Sequence, residues 1–103
     1  MKNKTAITTI SAASMIMSLS AQADVCPALG RLAEKIMDNR QAGHSMSKQL
    51  TALEGSTLSD AVKPIVVLSY ETPKFNSPAY KQEAVTEFGN EIMLACYKGE
   101  ITL

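Results

Sequence analysis

The sequence predicts an all-α fold, a small four-helix up-down bundle closed by one disulfide between Cys26 and Cys96. Three observations carry this. Apolar residues recur at spacings of three and four in four separate segments, the period of one helix face. Serine, proline and glycine lie between those segments where helices start and stop. The two cysteines sit at the outer ends of the first and last segments.

Ahead of the bundle, residues 1–23 read as a cleaved signal peptide: Lys2 and Lys4 in a short basic start, an apolar run from Ala6 to Leu19, and the small residues of Ala21-Gln22-Ala23 before the cleavage point. The run is too short and too rich in Ser and Thr for a permanent span, which needs roughly 20 apolar residues. Asp24 and Val25 separate the small residues from Cys26, which argues against a lipidated cysteine. The mature chain then runs over 24–103 as a single helical domain of 80 residues, the 103 of the whole less the 23 removed. No stable membrane insertion is expected after cleavage, and the expected location is periplasmic.

The first segment carries Leu29, Leu32, Ala33, Ile36 and Met37 at helical spacing. Pro27 suits its first turn, where a missing N–H costs nothing, and Gly43 reads as its stop. The second, with Met46, Leu50 and Leu53, starts at Ser45 or Ser47, ends at Gly55 and predicts two or three turns. The third runs from Leu58 to Thr72 with Leu58, Ala61, Val62, Ile65 and Leu68 on one face and Thr57 with Asp60 as a capping pair. Pro64 requires either a kink there or a regular part that begins near Lys63. The run Ile65-Val66-Val67-Leu68 also fits a buried strand, but no second strand-like segment exists to pair with it. The fourth segment has Ser77 as N-cap and Pro78 at the first helical position. It continues through Val85, Phe88, Ile92, Ala95 and Cys96 to Gly99. Phe75, in the loop between the third and fourth segments, is expected to fold back over the core.

An 80-residue domain buries only about 60–65% of its unfolded surface, so a covalent staple matters. In an oxidising compartment a lone pair of distant cysteines reads as a structural disulfide. Its Cα atoms must then approach within about 7 Å, which antiparallel first and last helices of an up-down bundle provide.

Charge and motif content exclude more than they assign. With Lys2 and Lys4 removed, eight Lys plus Arg face ten Asp plus Glu, a net charge near minus two. That balance argues against nucleic acid or an anionic membrane as partner. His44 is the only histidine and no third cysteine exists, so no Cys/His metal set is present; no metal and no cofactor is expected. His44 with Met46 is at most a soft-metal pair, and a solvated loop histidine is the simpler reading. Ser45 and Lys48 spell S-x-x-K, but the chain lacks the companion motifs and the size of penicillin-recognising enzymes, and Ser45 reads as a helix cap.

Two candidate partner-binding features remain. Glu83, Glu87 and Glu91 form a ladder at spacing four on the last helix, where adjacent like charges disfavour one another. Either Arg31 and Lys35 of the first helix neutralise it, or it is a docking stripe for a basic partner. Tyr70, Phe75 and Tyr80 cluster around the loop, either as packing or as a recognition patch of the kind aromatics form at interfaces.

The stretches Cys26 to Gly43, with Ile36-Met37 and Arg40-Gln41-Ala42-Gly43, then Met46-Ser47, Ser69-Tyr70-Glu71-Thr72-Pro73 and Phe88 to Cys96, resemble a group of short exported proteobacterial proteins. That group is often associated with prophages or mobile elements. The resemblance covers nearly the whole mature chain and implies export and helical content, and it carries over no catalytic or binding residue. The function expected from the sequence is therefore that of a non-enzymatic periplasmic protein-binding protein with an unknown protein partner, an inhibitor or immunity factor for a cell-envelope enzyme or toxin. The alternative is an acid or envelope-stress chaperone.

Overall fold

A computed structural model describes residues 25–101; the signal segment and cleavage point expected over 1–23 lie outside the described residues. The regular structure of the described residues is all helical. It comprises α1 (25–41), α2 (Met46–Thr51), α3 (Ser59–Ser69) and α4 (Pro78–Tyr97), with no strand among these residues. The strand alternative for Ile65 to Leu68 is thus resolved in favour of the helix.

Leu29, Ala33, Ile36 and Met37 of α1 are buried, as their spacing requires. The helix stops where Gly43 takes φ +97, a left-handed conformation that a side chain disfavours. Its closing bonds, His44 N–H to Asn39 O and Gly43 N–H to Arg40 O, form a Schellman motif. The same pair of bonds ends α4, from Glu100 N–H to Ala95 O and from Gly99 N–H to Cys96 O, with Gly99 at φ +76.

α2 has six residues, less than the two or three turns expected. Ser45 caps it, its Oγ accepting the Lys48 N–H at 3.1 Å. Removing such a cap costs about 1 kcal/mol, so Ser45→Ala lowers the urea midpoint by that equivalent and speeds amide exchange at Lys48. Met46, expected on the core face, is exposed, whereas Gln49 is buried. The helix is too short to present a full apolar stripe, and hydrogen bonds satisfy the Gln49 amide where it enters the interior.

α3 runs without interruption through Pro64. The ring forfeits only the bond to Asp60 O and lies on the exposed side. The expected Thr57–Asp60 capping pair is absent because the helix starts one residue too late for it. Leu58 is the N-cap, without a side-chain cap bond, and Ser56 Oγ accepts the Leu58 N–H instead. Leu58 is accordingly 57% exposed rather than part of the apolar face. The helix also ends at Ser69, short of Thr72, with the buried Ser69 hydroxyl donating to Val66 O.

α4 spans 20 residues, about 30 Å at 1.5 Å per residue. Ser77 occupies the N-cap position in extended conformation but makes no side-chain cap bond, so Pro78, with its φ already set for a helix, is the local signal that starts α4. Phe88 and Ile92 are buried, and Val85 and Cys96 pack at the margin of the core.

α1 and α4 are antiparallel. The Cys26–Cys96 disulfide, with a Cα–Cα distance of 5.5 Å, ties the start of one to the end of the other. At the opposite end Lys81 Nζ donates to Gln41 O at 2.7 Å. Between them the helices approach so closely that a Cβ on Gly89 would collide with Glu34 Cγ. Val62, Ile65 and Val66 of α3 complete the core. The residues following α3 hydrogen-bond to the end of α1, since Arg40 Nε donates to Thr72 O and Gln41 Nε2 to Pro73 O. α3 therefore runs with α1 and against α4, and the short α2 with its following turns makes the return.

Candidate functional site

The segment joining α3 to α4 is held from below by side chains at the end of α1, chiefly Gln41. Gln41 is 2% exposed; its Nε2 donates to Pro73 O at 2.9 Å and its Oε1 accepts the Phe75 N–H at 2.8 Å. Arg40 Nε reaches Thr72 O at 3.2 Å. The side-chain amide of one buried glutamine thus answers a backbone donor and a backbone acceptor of this loop together. The consequence is a fixed position for Phe75, whose ring meets Tyr80 at a centroid distance of 6.0 Å and an interplanar angle of 53°. Phe75 is half-buried and lies on Tyr80 rather than among the residues packed against the core, its expected place.

Phe75 and Tyr80 form the wall of a groove of about 260 Å³ along the flank of α4, floored by the buried Phe88 and rimmed by Glu83, Glu87 and Glu91. Five of the six residues singled out in the sequence as two separate features thus line one site. None of the three carboxylates has an ion-pair or hydrogen-bond partner among the described residues. The neutralising contact expected from α1 is not made. α1 crosses α4 on the Gly89 flank, and Lys35 lines a different groove, between α1, α2 and α3. The glutamates form a stripe rather than a chelate: among the described residues no three His, Cys, Asp or Glu side chains converge on a metal position.

Tyr70 is the sixth residue, and the structure separates it from the others. Its hydroxyl donates to His44 O and accepts from Gln49 Nε2 at 2.8 Å, and the Arg40 guanidinium carbon stands 4.9 Å from its ring centroid. Gln49 Nε2 also reaches Ile36 O at 3.2 Å, and Asn39 Nδ2 bonds its Oε1. Tyr70 thus clamps α1, α2 and α3 and does not line the groove of Phe75 and Tyr80. His44 is half-buried at this junction and Met46 is exposed, so the pairing considered for a soft metal has no further support here.

Sequence reasoning passed over Arg40, Gln41 and Gln49. Gln41 carried a signal: it continues the stripe Leu29, Ala33, Met37 at spacing four, the positions that face the core. Among the described residues no helix is long and apolar enough to cross a membrane. Compared with models of known protein families, with characterised proteins and with solved structures, the chain matches none.

Proposed function

We propose that this is an exported, periplasmic protein-binding protein of the inhibitor or immunity-factor class, and that its acid–aromatic groove seats a lysine- or arginine-bearing segment of the partner. The observation that carries the reading is the coincidence in one groove of three carboxylates without ion-pair partners and an aromatic wall. An exposed ion pair alone is worth about 0–1 kcal/mol. A basic side chain laid in this groove adds burial of its methylene stem against Phe75, Tyr80 and Phe88 and cation–π attraction to the rings. The combination favours a long cationic side chain over a small cation. Export is supported by the basic, apolar and small-residue zones of 1–23, and the disulfide is compatible with an oxidising compartment.

The test is a photo-crosslinker placed at Tyr80 in cells, compared with one at Lys63, an exposed position on α3. A specific adduct from position 80 that falls about tenfold when Glu83, Glu87 and Glu91 are all changed to lysine is the expected result. The variant changes only exposed side chains, so its circular dichroism stays that of the parent. An adduct equally strong from Lys63, or undiminished by the charge reversal, overturns the assignment of the groove.

A further inference from the structure

The three longer helices meet pairwise along three seams, and the described chain covers two of them. α1 and α4 close on each other at Gly30, where an added Cβ would strike Met93 Cε, and at Gly89. The side between α1 and α3 carries α2, which Gln49 ties to Ile36 O and to the Tyr70 hydroxyl. The seam between α3 and α4 has no such cover among the described residues. The acid–aromatic groove occupies one half of it, and a second groove of about 320 Å³ continues it toward the end of α4. The two adjoin. Thr72 of the first and Leu68 of the second are one turn apart, as are Glu91 of the first and Ala95 of the second on α4.

The second groove repeats the character of the first. Its apolar surface is open: Pro64 is exposed, Leu68 and Ile101 are half-buried, and Leu94 on the adjacent flank of α4 is 56% exposed. Asp60 and Glu100 stand at its far end, and neither carboxylate has an ion-pair partner among the described residues. No lysine or arginine lines either groove, and Lys81 of α4 is turned to Gln41 O. From Asp60 to Thr72 the seam runs ~18 Å at the helical rise.

We infer that the partner's segment is an amphipathic basic helix of about three to four turns. Its apolar stripe lies on Leu68, Pro64 and Ile101, its lysines or arginines face the carboxylates at both ends, and it takes the one uncovered seam of the bundle. This rests on the reading of the acid–aromatic groove as the seat of a basic segment. The helical form follows from the backbone. α3 and α4 pair their own N–H and C=O groups internally, so an extended segment would find no ladder to join and its amides would be buried unpaired. A helix satisfies its own, and apolar residues at i, i+3, i+4 and i+7 recur at the one-turn spacing of the seam.

The experiment adds to the photo-crosslinker at Tyr80 a second one, in a separate variant, at Pro64. Pro64 is exposed, and its replacement restores a helix N–H. Pro64 lines the same groove as Ala95, which lies fifteen residues beyond Tyr80 on α4, so the two probes stand ~22 Å apart along the seam. Both adducts are expected to hold one partner polypeptide, with attachment sites about fifteen residues apart at the rise of a helix. Asp60→Asn with Glu100→Gln lowers the two adducts together by about fivefold, the equivalent of two exposed ion pairs; both side chains are exposed, and an unchanged circular dichroism spectrum certifies the fold. Attachment sites about seven residues apart mark an extended segment and overturn the inference. So does an adduct from position 80 with none from position 64, or a pair of adducts that the two neutral substitutions leave unchanged, and in either case the acid–aromatic groove keeps its proposed role. A cross-linked dimer of this chain gives the seam to a second copy and overturns the inference as well. An adduct from position 80 that survives the change of Glu83, Glu87 and Glu91 to lysine refutes the proposed function, and the inference with it.

Discussion

Replacing both cysteines, Cys26→Ala with Cys96→Ala, lowers the free energy of unfolding by about 4 kcal/mol. The bridge closes a loop with a sequence separation of 70, and in the chain-entropy account the cost of its loss falls on the unfolded ensemble, which gains the freedom that the cross-link had removed. For the helical part of the chain described, residues 25–101, total stability is about 4–12 kcal/mol at the usual 0.05–0.15 kcal/mol per residue. The substitution therefore removes a third of that stability at least. Alanine is the informative replacement because Cys26 is 1% exposed, and serine there would add the separate cost of a buried hydroxyl. In urea the expected signature is twofold: a lower midpoint, and a steeper dependence on denaturant because the uncrosslinked chain exposes more surface when unfolded. An unchanged midpoint and slope mean that the thiols are not bridged in the protein as purified. Mass measurement under non-reducing conditions then finds both sulfhydryls free.

The cysteine pairing was legible in the sequence because the chain has only two cysteines, an oxidising compartment was expected, and the two stand at the far ends of two helices whose apolar spacing demands a shared core. For the same reason Leu29, Ala33, Ile36, Phe88 and Ile92 lie where their periods place them, and Gly43 and Gly99 end helices where only a residue without Cβ turns left-handed at no cost. What the pattern did not reveal were positions where a hydrogen bond overrides hydropathy. Gln41 and Gln49 are buried and Met46 and Leu58 are exposed, the reverse of their polarity, because two amides find several partners in the interior while the apolar pair sits at helix starts that project from it. The capping pair read at Thr57 failed for a related reason: a cap depends on the exact helix start, and α3 begins one residue later, with Leu58 at its N-cap. Ser77 stands at the N-cap of α4 as read, without a side-chain bond, beside Pro78 with its φ already set for a helix. The candidate site was half visible. The glutamate ladder and the aromatics were each identified, but their meeting depends on where the loop 72–76 folds, and that is decided by Gln41, on a helix some thirty residues earlier.

Gln41→Ala therefore has two linked effects. It removes the Nε2 donor from Pro73 O and the Oε1 acceptor from Phe75 N–H, two part-buried hydrogen bonds. Each is worth about 0.5–1.5 kcal/mol net, and the void left beside Met37, which the amide touches at 3.5 Å, adds to it. A loss near 3 kcal/mol is expected, which for a domain of this size lowers the thermal midpoint by about 15 °C. The second effect is local. With the loop unpinned, the Phe75 ring leaves Tyr80, and the wall of the acid–aromatic groove is lost although Gln41 itself does not line it. Amide exchange at Phe75 then accelerates more than exchange at Val66 in the core, and cross-linking from Tyr80 falls as far as it does in Phe75→Ala. That single variant separates the causes: Phe75→Ala removes the wall and keeps the Gln41 bonds, so it reproduces the loss of cross-linking with a smaller fall in midpoint. A Gln41→Ala protein that stays within about 0.5 kcal/mol of the parent, the range of ordinary surface substitutions, and keeps its Phe75 amide protected shows that the loop holds itself in place and that the groove owes nothing to α1.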